Sequence, residues 1–208
     1  MKNLKKLFVI VLGVSAVQYA QAQSAKMSEP VGYRLGNGMN IIISENSRSP
    51  KAYSSFTLDA KAFEGKKDGI VELFNAVLNE NTGKSPNISF KDNSGRLATS
   101  STDFDKDLAL MASLIRNAVL DQKDFNAAKA KLIASLKSQD YDYDQTVNEK
   151  SVNALSLEDI KNFYDRISPE KTFLTIAGDI DLSSARSSAK KAFGNWNKMQ
   201  ETALAFSK

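Results

Sequence analysis

Three carboxylates alternate along the run DYDYD, Asp140 to Asp144, the spacing with which a calcium-binding loop begins. The rest of that pattern is missing: Gln145 stands where the loop needs glycine, and Ser151 where it needs a bidentate glutamate. The run reads as a solvated acidic loop. Ser188 and Lys191 form S-x-x-K at helical spacing, which in some acyl enzymes supplies a serine nucleophile and a lysine partner. Here it lies in SSARSSAKKAFGNW, without the companion S-D-N or K-T-G signals, and an amphipathic helix accounts for it. Asn87-Ile-Ser89 matches a glycosylation acceptor.

The chain contains no histidine and no cysteine. Histidine is the usual general base at neutral pH and the commonest zinc ligand, so Ser-His-Asp and Cys-His catalysis and any His-ligated metal centre lie beyond this polypeptide alone. Thiol chemistry and thiolate metal sites are excluded as well.

One further stretch bears on chemistry through its spacing. DGIVELFNAVLNENTG, Asp68 to Gly83, places Ile70, Val71, Leu73, Phe74, Val77 and Leu78 on one face of a 3.6-residue repeat. Glu72, Asn75 and Asn79 fall on the other face, and Ala76 lies one turn after Glu72. Taken alone, the pattern is a core helix with a polar back.

The surrounding elements follow from local signals. GYRLGNGMNIIIS, Gly32 to Ser44, alternates around Gly36-Asn37-Gly38 and predicts a β-hairpin. A strand is predicted over Tyr53 to Ala60, then a charged loop from Glu64 to Gly69 ahead of the helix, which Gly83 is placed to end. Short strands are predicted at Ile88 to Lys91 and Arg96 to Ser101, with helices over Phe104 to Val119 and Asp124 to Gln139 and a polar loop from Asp140 to Asn148. Ser156-Leu-Glu-Asp159 forms a capping box that opens a helix through Tyr164. Thr172 to Asp181 predicts a buried strand ending at Gly178, and Leu182 to Phe193 a last helix. The order β-β-β-α-β-β-α-α-α-β-α predicts an α/β (α+β) layered sandwich, with helices on a mainly antiparallel sheet.

At 208 residues the chain is long enough for one domain with a sizeable core. Lys2, Lys5 and Lys6 precede the apolar run Leu7 to Val14 and then Ala20-Gln21-Ala22, the pattern of a signal peptide over residues 1–22. Removing it lowers the formal net charge from +4 to +1, and no basic run interleaved with aromatics remains, so nucleic acid is not an expected partner. The expected product is exported, periplasmic or extracellular, with no membrane span. Residues 23–30 read as a polar linker, 31–198 as one folded unit and 199–208 as a C-terminal tail.

The two ends of that unit together resemble the insulinase/pitrilysin-type zinc peptidases, whose helix carries H-x-x-E-H. YRLGNGMNIIIS is similar to the hairpin that opens the family's domain, and the helix from Gly69 onward to its helix G-L-A-H-L-L-E-H-x-L-x-x-G-T. Ala154 to Trp196 is similar to its closing unit: a capped helix, a strand, a Gly-Asp turn and a helix ending in Phe-Gly-x-Trp. The resemblance covers about four-fifths of the chain after residue 22, weakly in the middle, which is shorter than the family pattern between Arg96 and Ser156. It implies an α/β half-domain of the kind found as one of several units in a clamshell peptidase, or paired with a catalytic sister.

Carried over position by position, Glu72 and Ala76 fall where the metal-binding histidines would be, and Asn75 where the general-base glutamate would be. The region similar to the one bearing the further glutamate ligand, Phe125 to Gln139, has no glutamate. The resemblance thus implies a peptidase-like domain without the family's chemistry, with no metal and no cofactor. Its expected role is that of a non-catalytic partner or peptide-binding module, joined to a catalytic homologue or to another copy of itself. Two alternatives are an essential subunit of a zinc peptidase whose active site lies on a sister chain, and an unrelated structural α/β protein. SGRLATSST, Ser94 to Thr102, resembles the family's substrate-receiving edge strand, which makes Arg96, Ala98, Thr99 and Ser100 the expected peptide contacts.

Overall fold

The computed structural model describes residues 28–83, 85–138 and 146–196. β1 (Val31–Arg34) and β2 (Asn40–Glu45) form the predicted hairpin, followed by β3 (Lys51–Leu58), α1 (Ile70–Asn81), β4 (Ile88–Lys91) and β5 (Ser94–Ser100). Then come α2 (Phe104–Arg116), α3 (Gln122–Ser138), α4 (Glu149–Asn153), α5 (Leu157–Asp165), β6 (Thr172–Gly178) and α6 (Leu182–Phe193). The strands make one six-stranded sheet in the order β1-β2-β6-β3-β5-β4. Among the described residues β2 and β6 run parallel and the other pairings are antiparallel, in keeping with the expected mainly antiparallel sheet.

Alternation along the strands separates two faces. Ile41, Ile43, Phe56, Leu97, Leu174 and Ile176 are buried beneath the helices. Two aromatic groups organise that layer. Phe56, Phe193 and Trp196 have ring centroids 6.0 to 6.2 Å apart. Phe163 lies 5.4 Å from Phe63 and 5.5 Å from Phe74, joining α5 to α1.

β3 and β5 each begin two residues before the predicted start, and three helical regions also differ from the sequence expectation. α2 stops at Arg116 and does not reach Val119, because the Tyr164 hydroxyl takes the Arg116 carbonyl at 2.6 Å and so ends the ladder. α3 opens at Gln122, with the Asp121 carboxylate accepting the Asp124 N–H at 2.8 Å. The sequence reading assigned no element to α4. Asn148 and Ser151 cap it reciprocally, each side chain bonding the other's backbone N–H at 3.0 Å, and Asn is easily taken for loop composition. The predicted box at Ser156 and Asp159 forms as expected.

Two glycines are required by geometry. Gly38, at φ +92°, turns the hairpin. Gly178, at φ +122°, ends β6 where a Cβ would run into the Lys51 carbonyl of the neighbouring strand. Ser28, at the end of the expected linker, donates its N–H to the Glu45 carbonyl and so continues the hairpin. The acidic run Asp140 to Asp144 lies outside the described residues, as do the expected signal segment and C-terminal tail.

Candidate functional site

α1 packs against α3 on one side and β4 on the other, and its polar back opens onto a groove of about 700 Å³. Glu72, Asn75, Ala76 and Asn79 line it from α1, Asp92 from the turn after β4, and Leu132 and Leu136 from α3. The helix is oriented by its apolar face, since Leu73 and Val77 are fully buried, which leaves the polar positions no other direction.

What those polar positions do is structural. The Asn75 carboxamide donates to the Asp92 carbonyl. Asn79, one turn on, makes a two-way contact with Phe90: its amide donates to the Phe90 carbonyl at 2.8 Å and its oxygen accepts the Phe90 N–H at 2.8 Å. β4 is an edge strand, and these Phe90 groups point away from β5, so the helix closes the edge main chain that a further strand would otherwise use. Sequence reasoning assigned Asn79 no role. The available signal was the i, i+4 repetition of asparagine on one helix face.

A zinc ion does not fit these residues. It needs three or four nitrogen, sulfur or anionic oxygen donors, whereas Ala76 offers none and Asn75 is tied to the backbone. Glu72 supplies one carboxylate with no hydrogen-bond or ion-pair partner among the described residues. No group of three His, Cys, Asp or Glu suited to a metal occurs among the described residues.

The residues expected to contact a peptide are not on one surface, and the edge expectation for Ser94 to Thr102 is corrected. β5 lies between β3 and β4, bonded on both sides, and β4 is the edge. Thr99 faces inward, 6% exposed, and donates to Asp107 at 2.6 Å. Arg96 and Ala98 face outward, Arg96 in an exposed ion pair with Asp92 at 3.3 Å. Ser100 is used by the turn that opens α2, donating to Asp103 at 2.7 Å. The alternation of a strand accounts for the split, because four residues within a run of five cannot share a face.

Ser188 and Lys191 converge on Asp105 of α2. The buried Ser188 hydroxyl bonds its carboxylate, and Lys191 lies 3.3 Å away. The hydrogen bond from Ser188, then Lys191, holds the Asp105 carboxyl below its usual range. The pair clasps α6 to α2. A cavity of about 800 Å³ opens beside it, where Glu45 accepts the Leu182 N–H and Asp181 caps α6 at the Ser184 N–H. These carboxylates answer helix N-termini. Asn87 of the glycosylation pattern donates its amide to Asp107 at 2.8 Å, so that nitrogen is engaged inside the fold.

Comparison with known proteins bears on the fold. No protein-family model matches the chain, and no curated protein matches it in sequence. Solved structures do match. A protease from Helicobacter pylori superposes with TM-score 0.68 at 14% identity, over 86% of this chain and 53% of that one. The inactive domain of a peptidase M16 from Pseudomonas fluorescens gives 0.63 at 16%, over 82% and 51%. The periplasmic protease PqqL from Escherichia coli gives 0.70 at 10%, over 84% of this chain and 25% of that one. The chain spans about half the length of the first two and a quarter of the third. Its six-stranded sheet with helices on one side is the fold of a half-domain of the M16, insulinase-like peptidases.

Proposed function

We propose that the chain is an exported, catalytically inactive peptidase-like module that acts by engaging a protein partner. The observation that carries this reading is the use of α1: the positions matched to metal ligands and base hold Glu72, Asn75 and Ala76, Asn79 closes the β4 edge, and Asn75 ties the turn that follows it. A helix occupied in this way offers neither a metal nor an open strand edge to a substrate. Export rests on the pattern of residues 1–22.

The half-length match to solved relatives favours a second reading, in which the chain completes a zinc peptidase whose active site lies on a sister chain. One experiment addresses both. The purified protein is titrated with zinc by calorimetry and assayed against a peptide library, alone and with any co-purified homologue. The proposed module binds no stoichiometric zinc and cleaves nothing in either state. Cleavage only in the complex, lost when this chain is removed, selects the subunit reading. Stoichiometric zinc with cleavage by the chain alone overturns both.

A further inference from the structure

Among the described residues, no helix lies against the second face of the sheet. Strand register places Ile42, Thr175, Ser55, Arg96 and Ser89 in one row straight across it. The middle of this face is uncharged. It carries two of the chain's large exposed hydrophobic side chains, Ile42 at 40% and Tyr53 at 44%, with half-buried Phe173 between their strands. Among the described strand residues, the charges on this face lie on the outer strands and at one strand end, and all are basic: Arg34, Lys51, Lys91 and Arg96. Among the described residues, the only acid in an ion pair with any of them is Asp92, in the turn beside Arg96.

An uncharged, aromatic centre inside a charged rim is the anatomy of a protein interface, and the sign of the rim restricts what can cover it. A second copy set face to face would bring two basic rims together, and like charges across an interface are costly. A complementary surface has an apolar centre bordered by Asp and Glu. The solved relatives matched over about half their length leave room for a unit of similar size. We propose that this bare face receives a distinct protein unit, an acidic-rimmed peptidase-like half, and not a second copy of this chain. The proposal rests on the partner-engaging reading above and assigns it a surface.

The test uses the full chain, tagged and purified gently from its own host, as wild type, Ile42→Asp, Arg96→Glu and the control Lys123→Glu on the exposed side of α3. Circular dichroism verifies folding; Arg96 is more than half exposed, so its variant is not expected to disturb the core. The readouts are the co-purified protein, its sequence, and hydroxyl-radical oxidation of Tyr53 and Phe173. The expected result is a peptidase-like partner with an acidic surface. Both face variants lower its retention by about tenfold or more and the control does not, and about 0.5 M salt weakens it. Tyr53 and Phe173 become several-fold less reactive in the complex. A peptidase-like partner retained undiminished by both face variants, with Tyr53 still reactive, overturns the surface and leaves the partner-engaging reading standing. Protection of Tyr53 in the isolated protein, by a second copy or by the chain's own ends, overturns the proposal, as does recovery of nucleic acid or lipid in place of protein. Recovery of no partner at all overturns both.

Discussion

The Asn37 carboxamide donates to the carbonyl of Trp196 at 2.9 Å and to that of Phe193 at 2.7 Å, while its oxygen accepts the Met39 N–H at 3.3 Å. The turn of the first hairpin thus caps the end of the last helix, joining the two segments whose patterns carry the family resemblance. Truncation in Asn37→Ala removes the donor of the Trp196 carbonyl and leaves the Phe193 carbonyl with the Trp196 N–H alone, with an expected loss of about 1–3 kcal/mol in urea unfolding. Tryptophan fluorescence follows it directly, because Trp196 is the only tryptophan.

Asn79→Ala opens the edge of β4. Loss of the two bonds to Phe90 is expected to cost about 1–2 kcal/mol and to speed amide exchange at Phe90 well beyond that at Leu97 in the interior strand. Hydrogen exchange read by NMR or mass spectrometry resolves the two. Equal protection of Phe90 in both proteins would contradict the edge-closing role.

Asp107 gathers Thr99 and Asn87 onto one oxygen at 2.6 and 2.8 Å, inside the α2 and β5 contact. Asp107→Ala is expected to destabilise by about 2–3 kcal/mol, and the double variant with Thr99→Ala by less than the two single losses together. Chemical denaturation of the four proteins completes the cycle.

Gly178→Ala meets both a positive φ and the Lys51 carbonyl. Because backbone on the next strand cannot yield as a side chain can, the expected loss is about 2 kcal/mol or more. A midpoint shift in thermal unfolding measures it.

Asp159 is held at about 2, first by its hydrogen bond from Lys67 at 2.6 Å and then by the Ser156 backbone N–H. A carboxyl depressed on folding adds stability above its ordinary value of 3.8, and that stability is lost as pH falls toward 2. Lys67→Met is therefore expected to flatten the pH dependence of stability between those limits while changing little at pH 2. Urea midpoints across the acid range test the sign.

Strong local signals made much of the fold legible. The glycine turn at Gly36-Asn37-Gly38, the Ser156 box, the apolar periodicity of α1 and the span Leu182 to Phe193 each arise from neighbouring residues, and each forms where the pattern puts it. α4 was less legible, since an Asn148 cap competes with a loop reading of the same residues. The polar back of α1 was also legible as residues at a spacing.

Strand order and the destinations of the asparagines were not. Nothing local indicates that β6 inserts between β2 and β3, that β5 is interior, or that Thr99 turns inward to Asp107 while Ala98 stays outside. These depend on pairings between segments far apart in the chain, where a one-residue change of register exchanges the faces of a strand. The amino-acid pattern specifies helix and hairpin through short-range periodicity and side-chain chemistry. Which edge is closed, and which face of the sheet is left bare, is settled by long-range register, because only the assembled sheet brings Asn79 to Phe90 and Asn37 to Trp196.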